Sequence, residues 1–559
     1  MVWIMGIGGS NHDFSAALLN DAALHTAIED ERLTGHRYGS THWASSPCRP
    51  SFDYSLQSAG ISPDDLGGLF VSADLEGHDR FWETYDFQFV GHHLCHAAAA
   101  FYPSPFEEAA VLVIDGRGGP IGEKDRTHQS FETLSIGFGK GNKITLDTVQ
   151  SGSHAVATST WSYISSNSIG WFYSIITEAC GLGENGEGKT MALAAYGQPK
   201  YVANLLDFVA FNPDTIFEMN PYNGLWDFLV DTIRQAPDSF SVRANLAASG
   251  QQILEEAVVA AARLAQRKTS AKMLSFGGGV ALNGVANHRV REETGFDEVF
   301  IFPASGDNGL SAGAALHGAH KHFDIPRPAP SWQASAKYAY GGRTYEVSDI
   351  SSAVEPAPVS SRTVSSLVDR AKMTAERLIG GSIVAVFQGG AEFGPRALGN
   401  RSILALPGSQ RIQARMNAIK QRESFRPFAP IVLEQAASEY FELKGPSPFM
   451  LDIAPVRHKY RESLAGICHV DGTARVQTLS TGSNPLIEAV LSELQDRGYP
   501  PVVLNTSFNL KGCPIVETPN DAVSAFLKLS IDFLLIGAQW LEKQTTLDFE
   551  SVGMTRHAY

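Results

Sequence analysis

Along the chain, short apolar runs alternate with polar, glycine-rich punctuation. Residues 2–7 (VWIMGI) stop at Gly8-Gly9-Ser10-Asn11, residues 15–19 (SAALL) stop at Asn20-Asp21, and residues 23–29 follow. Apolar runs of this length bounded by Gly, Asn and Asp predict strands, and three in succession predict a β-meander. Two further runs, 109–114 (AAVLVI) and 273–276 (MLSF), end on Asp115-Gly116-Arg117-Gly118-Gly119 and on Gly277-Gly278-Gly279. Residues 251–266 (QQILEEAVVAAARLAQ) are alanine-rich and free of breakers, which predicts a helix. Strands and helices in alternation predict an α/β fold.

The pattern breaks at 324–335, DIPRPAPSWQAS, where three prolines fall within five residues. Such a stretch excludes a continuous helix or central strand and predicts a linker between domains. A new α/β unit follows it, with a helix at 364–378, a strand at 383–387, a glycine turn at Gly389-Gly390 and a strand at 502–504. The expected division is 1–330 and 340–559. No short repeat is apparent.

Composition sharpens this picture. A chain of 559 residues with 43% hydrophobic and 18% charged residues is globular and long enough for two or more domains. With 44 Lys and Arg against 59 Asp and Glu, the net charge is -15, so nucleic acid is not an expected partner. Cys48, Cys95, Cys180, Cys468 and Cys513 form an odd set without a CxxC pair, which predicts neither disulfides nor a zinc knuckle. The first basic residue is Arg32, so no export signal is visible, and no apolar run approaches the roughly 20 residues of a membrane span. The expectation is a cytoplasmic protein with no membrane partner.

Four constellations could carry chemistry. In GHHLCHAAAAFYP, His92 and His96 are one helical turn apart, so both imidazoles leave one face, while His93 points about 100° away and Cys95 is within reach. Asp115 at a strand end and Asp307 on a loop add two carboxylates, a set that suits iron or manganese better than structural zinc. The second, GENGEGKT from Gly183 to Thr190, matches the Walker A expression, but the segment before it reads as a helix rather than a strand. It is therefore read as a turn in which Lys189 could touch a phosphate. The third, FGGGVALNG, allows close backbone approach to a nucleotide through Gly278, Gly279 and Asn283. The fourth gathers Arg396, Lys420, Arg422 and Arg426 around a glycine-rich turn, with Arg475 and the strand end Asn505-Thr506-Ser507 added. So many fixed cations in an acidic chain predict an anion pocket with bidentate forks.

HDFSAALL, HHLCHAAAAFY, VIDGRGG, GLGENGEGKTMALAAYG, FGGGVALNG, FGPRALGNRS, FRPFAP, HVDGTARVQT and LNTSFNLKGCPIV occur in this order along nearly the whole chain. Together they resemble the NodU/CmcH-type O-carbamoyltransferases of natural-product pathways. The resemblance implies an actin-like domain similar to the tRNA threonylcarbamoyl transferase, joined to a smaller YrdC-like domain. It further implies that carbamoyl phosphate and ATP become carbamoyl adenylate in the YrdC-like part, and that the carbamoyl group then passes to an alcohol, of antibiotic type, in the larger part. An iron ion on His92, His96, Asp115 and Asp307 is implied, with magnesium as a further ion, and His12 as the base for the attacking hydroxyl. Lys189, the glycine loops and Arg37 would hold the leaving phosphate; Arg37 stands where the tobramycin-pathway member has lysine. Rival readings are tRNA threonylcarbamoylation, which the net charge disfavours, and a regulatory actin-like ATPase, which would not need a second anion pocket. The acceptor pocket is expected at 151–168 and 212–243.

Overall fold

The computed structural model describes residues 1–10, 13–38, 50–73, 85–121, 130–156, 163–220 and 224–544. The opening meander forms as predicted: β1 (Trp3–Gly8), β2 (Ser15–Asn20) and β3 (Ala23–Glu29) pair antiparallel. β4 (Leu66–Ser72) then runs parallel to β1, and β5 (Gln88–Val90) parallel to β4. The resulting order is β3-β2-β1-β4-β5.

The next sheet repeats that plan. β6 (Glu108–Ile114), β8 (Ser130–Lys140) and β9 (Lys143–Val156) make a second antiparallel meander, with β7 (Pro120–Ile121) paired on β8 and β10 (Tyr163–Ser165) on β9. After the separate hairpin β11 (Val209–Asn212) and β12 (Ile216–Met219), β13 (Met273–Gly277) runs parallel to β6, and β14 (Glu298–Ile301) parallel to β13. The order β9-β8-β6-β13-β14 therefore has the same strand polarity as β3-β2-β1-β4-β5. This is a duplication of topology that no short repeat in the sequence discloses.

Small residues let the halves meet backbone to backbone. A Cβ on Gly6 or Gly8 would lie 2.0 or 2.2 Å from backbone atoms of Ser311, and one on Gly313 would lie 1.9 Å from the Cys95 carbonyl oxygen. The helix Leu310–His317 is thus wedged between β1 and the helix His92–Phe101. That wedge carries the loop before it, with Asp307, over the two histidines.

Residues 359–543 form an eight-stranded sheet among the described residues, in which Val384–Phe387, Arg401–Ala405, Val502–Ser507 and Ala429–Leu433 are consecutive neighbours. The predicted helix at 364–378 is observed as Leu367–Ile379, and the one at 251–266 is the middle of the longer helix Ser239–Thr269. The proline-rich stretch is not a free tether. The Arg327 guanidinium donates to the carbonyls of Tyr102, Phe106 and Ser104 at 2.7, 2.5 and 2.5 Å, and its last residues enter the helix Trp332–Lys337. One apolar core runs from both duplicated sheets to Phe393 and Phe449, through ring contacts Phe302–Phe393 and Phe300–Phe449. Among the described residues, no helix is long and apolar enough to cross a membrane.

Candidate active site

The helix His92–Phe101 starts at Gly91 and sends both imidazoles inward from one face, where His92 and His96 are buried. Their Nε2 atoms stand 3.0 Å apart. Asp115, just past β6, brings Oδ2 to 3.2 Å from the His92 nitrogen and 4.0 Å from that of His96. Asp307 brings Oδ1 to 3.7 and 3.6 Å from the same two atoms. One ligand atom from each residue lies within 4.8 Å of the other three. The single N–H of a neutral imidazole cannot satisfy so many convergent acceptors, whereas two imidazoles and two carboxylates match an iron-like divalent cation. The set could hold such an ion.

Its surroundings fix each ligand. Burial by itself would raise the Asp115 carboxyl, but the His92 hydrogen bond and the neighbouring imidazoles hold it well below the usual carboxylate range. The Gly279 amide donates to Asp115 Oδ1 at 2.8 Å, and a Cβ on Gly278 would meet the Ile114 carbonyl oxygen at 2.2 Å. The glycine cluster thus lets its backbone close on the strand that carries Asp115. His93 turns away to Ser135 Oγ at 2.7 Å. Cys95, expected within reach of the cation, instead donates to the Val90 carbonyl at 3.6 Å and stands outside the four-residue set. Asn283 caps the helix Gly284–Glu293 and exchanges two 3.0 Å hydrogen bonds with Gln251, so its amide is committed within the protein. His12 lies outside the described residues.

The second centre is cationic. Arg396, Arg422, Arg426 and Arg475 stand close enough that burial, then mutual repulsion, pushes Arg396 down to about 10 and Arg422 down to about 9. Arg475 is likewise held well below its ordinary value by burial and by Arg396, Arg426 and Arg422. The Nε atoms of Arg396 and Arg475 are buried without a hydrogen-bond partner. Lys420, also buried, donates to the carbonyls of Ser507 and Asn509 at 2.8 and 2.9 Å and to Asn509 Oδ1 at 2.5 Å. Those acceptors suit an ammonium, yet burial and the guanidiniums of Arg422, Arg426 and Arg37 bring it down to about 7. Asn505 donates to the Ala397 carbonyl at 2.8 Å and leaves Oδ1 buried without a partner, while Thr506 and Ser507 continue its strand.

Two residues grouped by sequence with the glycine loops are brought to this cluster instead. Lys189 lies 3.5 Å from Glu423, which is itself 3.5 Å from Arg426. Arg37 is exposed and acts electrostatically on both Arg396 and Lys420. GENGEGKT follows the helix Ile169–Ala179, not a strand, and opens the helix Glu187–Ala194, so it lacks the P-loop context. The two stretches expected to line the acceptor pocket are described only in part. They are joined by Gln150, whose amide donates to the carbonyls of Asn167 and Phe217.

The chain matches the family described as Carbamoyltransferase N-terminus over residues 81–316 and Carbamoyltransferase C-terminus over residues 375–543. It is 33% identical to a protein of Synechocystis across 96% of each chain. The nodulation protein NolNO of Sinorhizobium fredii is 32% identical over 96% of this chain and 79% of its own length. The chain belongs to the NodU/CmcH-type carbamoyltransferase family. A relative in Amycolatopsis lactamdurans, named 3'-hydroxymethylcephem-O-carbamoyltransferase, is 32% identical over 48% of this chain and 49% of its own. The imidazole–carboxylate set falls within the carbamoyltransferase N-terminal match and the arginine cluster within the C-terminal one.

Sequence motifs single out none of three carboxylates found here, two beside these centres and one between the loops that carry them. Glu132 accepts from the His93 and Gly119 amides at 3.3 Å each. Glu423 sits between Lys189 and Arg426, and Glu29 closes β3 facing the other unit. The available signal for Glu29 was an acidic residue closing a strand directly after the apolar pair Ala27-Ile28.

Proposed function

We propose that the chain is an O-carbamoyltransferase working in two steps. Carbamoyl phosphate, ATP and water give carbamoyl adenylate, pyrophosphate and phosphate at the arginine cluster. The carbamoyl group then passes to the hydroxyl of a small natural-product acceptor beside His92 and Asp307. The observation that carries this reading is the contact between the loops bearing the two centres. A Cβ on Gly394, two residues before Arg396, would lie 2.6 Å from the carbonyl oxygen of Pro303, four residues before Asp307.

In the first step Arg396, Arg426 and Arg475 offer bidentate donors to phosphate, while Lys420 and Arg422, whose donors reach protein acceptors, add charge. The unpartnered oxygen of Asn505 suits the N–H donors of a carbamoyl group, and Thr506 and Ser507 extend the polar strand end. Arg37 and Lys189 complete the cluster from the N-terminal unit. In the second step the alcohol oxygen forms the new C–O bond, AMP leaves with its electron pair, and the hydroxyl proton goes to a base. His12 is the residue we assign. Its described flanks support this: Gly8 packs on Leu310 and Ser311, and Ser15 Oγ donates to the Asn308 carbonyl at 2.6 Å, so both lie beside the segment following Asp307. A divalent cation held by His92, His96, Asp115 and Asp307, iron by preference, would supply Lewis acidity toward the carbamoyl oxygen.

The duplicated sheet order supports an actin-like reading of residues 3–301, and we read the unit with the eight-stranded sheet as YrdC-like. The hydroxymethyl group in the Amycolatopsis relative's name points to a primary alcohol as the acceptor class. The test is a mass assay with purified protein, carbamoyl phosphate, ATP and a panel of alcohol-bearing natural products. Gain of one carbamoyl group, dependent on both co-substrates, is the expected result; no gain on any alcohol while ATP is hydrolysed would contradict it.

A further inference from the structure

Glu29 is 3% exposed and touches neither the cationic cluster nor the four metal-binding candidates, yet it joins the loops that carry them. Its Oε1 accepts from the Gly394 amide at 2.7 Å and from Asn308 Nδ2 at 3.0 Å. Asn308 directly follows Asp307, and Gly394 stands two residues before Arg396. Arg32 doubles the connection. Its Nη2 donates to the Gly394 carbonyl at 2.6 Å, and its Nε lies 3.5 Å from Glu29 Oε2. Gly394 has φ +112 and meets Pro303 too closely to accept a side chain, so the loop has no alternative packing that keeps this contact.

A carboxylate kept only for an ion pair would need Arg32 and nothing more. Here one oxygen is shared between a backbone amide of the C-terminal unit and a side chain next to a metal-binding candidate. We propose that Glu29 is a positioning residue that latches the 393–396 loop onto the 303–308 loop, so that carbamoyl adenylate formed at the arginine cluster stays facing the imidazole–carboxylate centre instead of escaping to water. This rests on the two-step reading above and adds to it a residue with no contact to substrate.

The experiment uses the full chain with carbamoyl phosphate and radiolabelled ATP and no alcohol, followed by rapid quench. The parent enzyme should release about one pyrophosphate per chain in a burst and then turn over slowly, because the adenylate is retained. Glu29→Ala should keep the burst rate within about threefold yet raise the steady rate by roughly tenfold or more as misplaced adenylate is lost to water. Glu29→Leu, which fills the same space without an acceptor, should behave likewise and carries the test if the alanine variant does not fold. Glu29→Gln keeps an acceptor oxygen and should fall between. A steady rate unchanged in both Ala and Leu variants, or burst and steady rates falling together, would overturn the latch. Absence of any pyrophosphate from the parent enzyme would instead overturn the two-step reading beneath it.

Discussion

Lys420 holds a proton whose fate reports on anion binding. Burial and three guanidiniums keep it near 7 in the free protein, against about 10.4 for an ordinary lysine. The folded state thus binds this proton more weakly than the unfolded chain, so this group's contribution to stability rises as pH climbs from about 7 to about 10.4. A phosphate entering the cluster reverses the balance. At pH 8, binding of carbamoyl phosphate should therefore take up close to one proton, read by calorimetry in two buffers of different ionisation enthalpy, and Lys420→Met should abolish the uptake. Zero uptake in the parent protein would show that Lys420 does not face the anion. At the other centre, His92→Ala with His96→Ala should lower bound iron at least about tenfold by elemental analysis, since half the ligand set is gone; equal content would remove the assignment. The histidine pair was legible because four residues is a helical turn. The redirection of Cys95 was not, because a side chain three residues after His92 can turn either to the cluster or to a nearby carbonyl, and here the Val90 carbonyl takes it.

Among the elements, glycine positions carry much of the architecture. Gly278, with φ +91 and a would-be Cβ 2.2 Å from the Ile114 carbonyl, should lose about 2 kcal/mol or more on Gly278→Ala in denaturant unfolding. Gly141→Ala is the control: φ is +54 but nothing lies within 4 Å, so about 1 kcal/mol is expected. Equal losses would show that the close approach to Ile114 is not what constrains Gly278. Strands and helices with strong apolar patterns were readable, but their ends moved, by up to three residues at Leu367–Ile379 and by about twelve at the start of Ser239–Thr269. The duplication was not readable, because β2 and β8 share polarity and place but no residue pattern that short-range comparison detects. The prolines of 326–330 did exclude regular structure, but composition could not show that Arg327 would fasten the stretch to the carbonyls of 102–106.

Across the whole molecule, the two units meet through buried charge as well as through apolar core. Asp452, 1% exposed, pairs with Arg291 Nε at 3.0 Å and His288 Nδ1 at 3.5 Å on the helix that follows the glycine cluster. Asp452→Asn should cost about 3 kcal/mol, because it leaves a mostly buried guanidinium unpaired. The adjacent Asp452 carboxylate raises His288 above its ordinary value, so its share of stability is full below about pH 6.5 and is lost as pH rises through the raised value. A melting-temperature series against pH in parent and Asp452→Asn proteins checks both; superimposable curves would contradict the pairing. The members of each centre were legible as residue types, whereas the joining of Arg37, Lys189 and Glu29 to the second unit depends on tertiary contacts between segments hundreds of residues apart, which local patterning does not encode. The most direct test of the account is pyrophosphate release from ATP by the purified chain with and without carbamoyl phosphate, in the parent and in Arg396→Ala. Release that requires carbamoyl phosphate and is lost in the variant is the predicted result. Release that ignores carbamoyl phosphate, or that persists at the parent rate in Arg396→Ala, would contradict it.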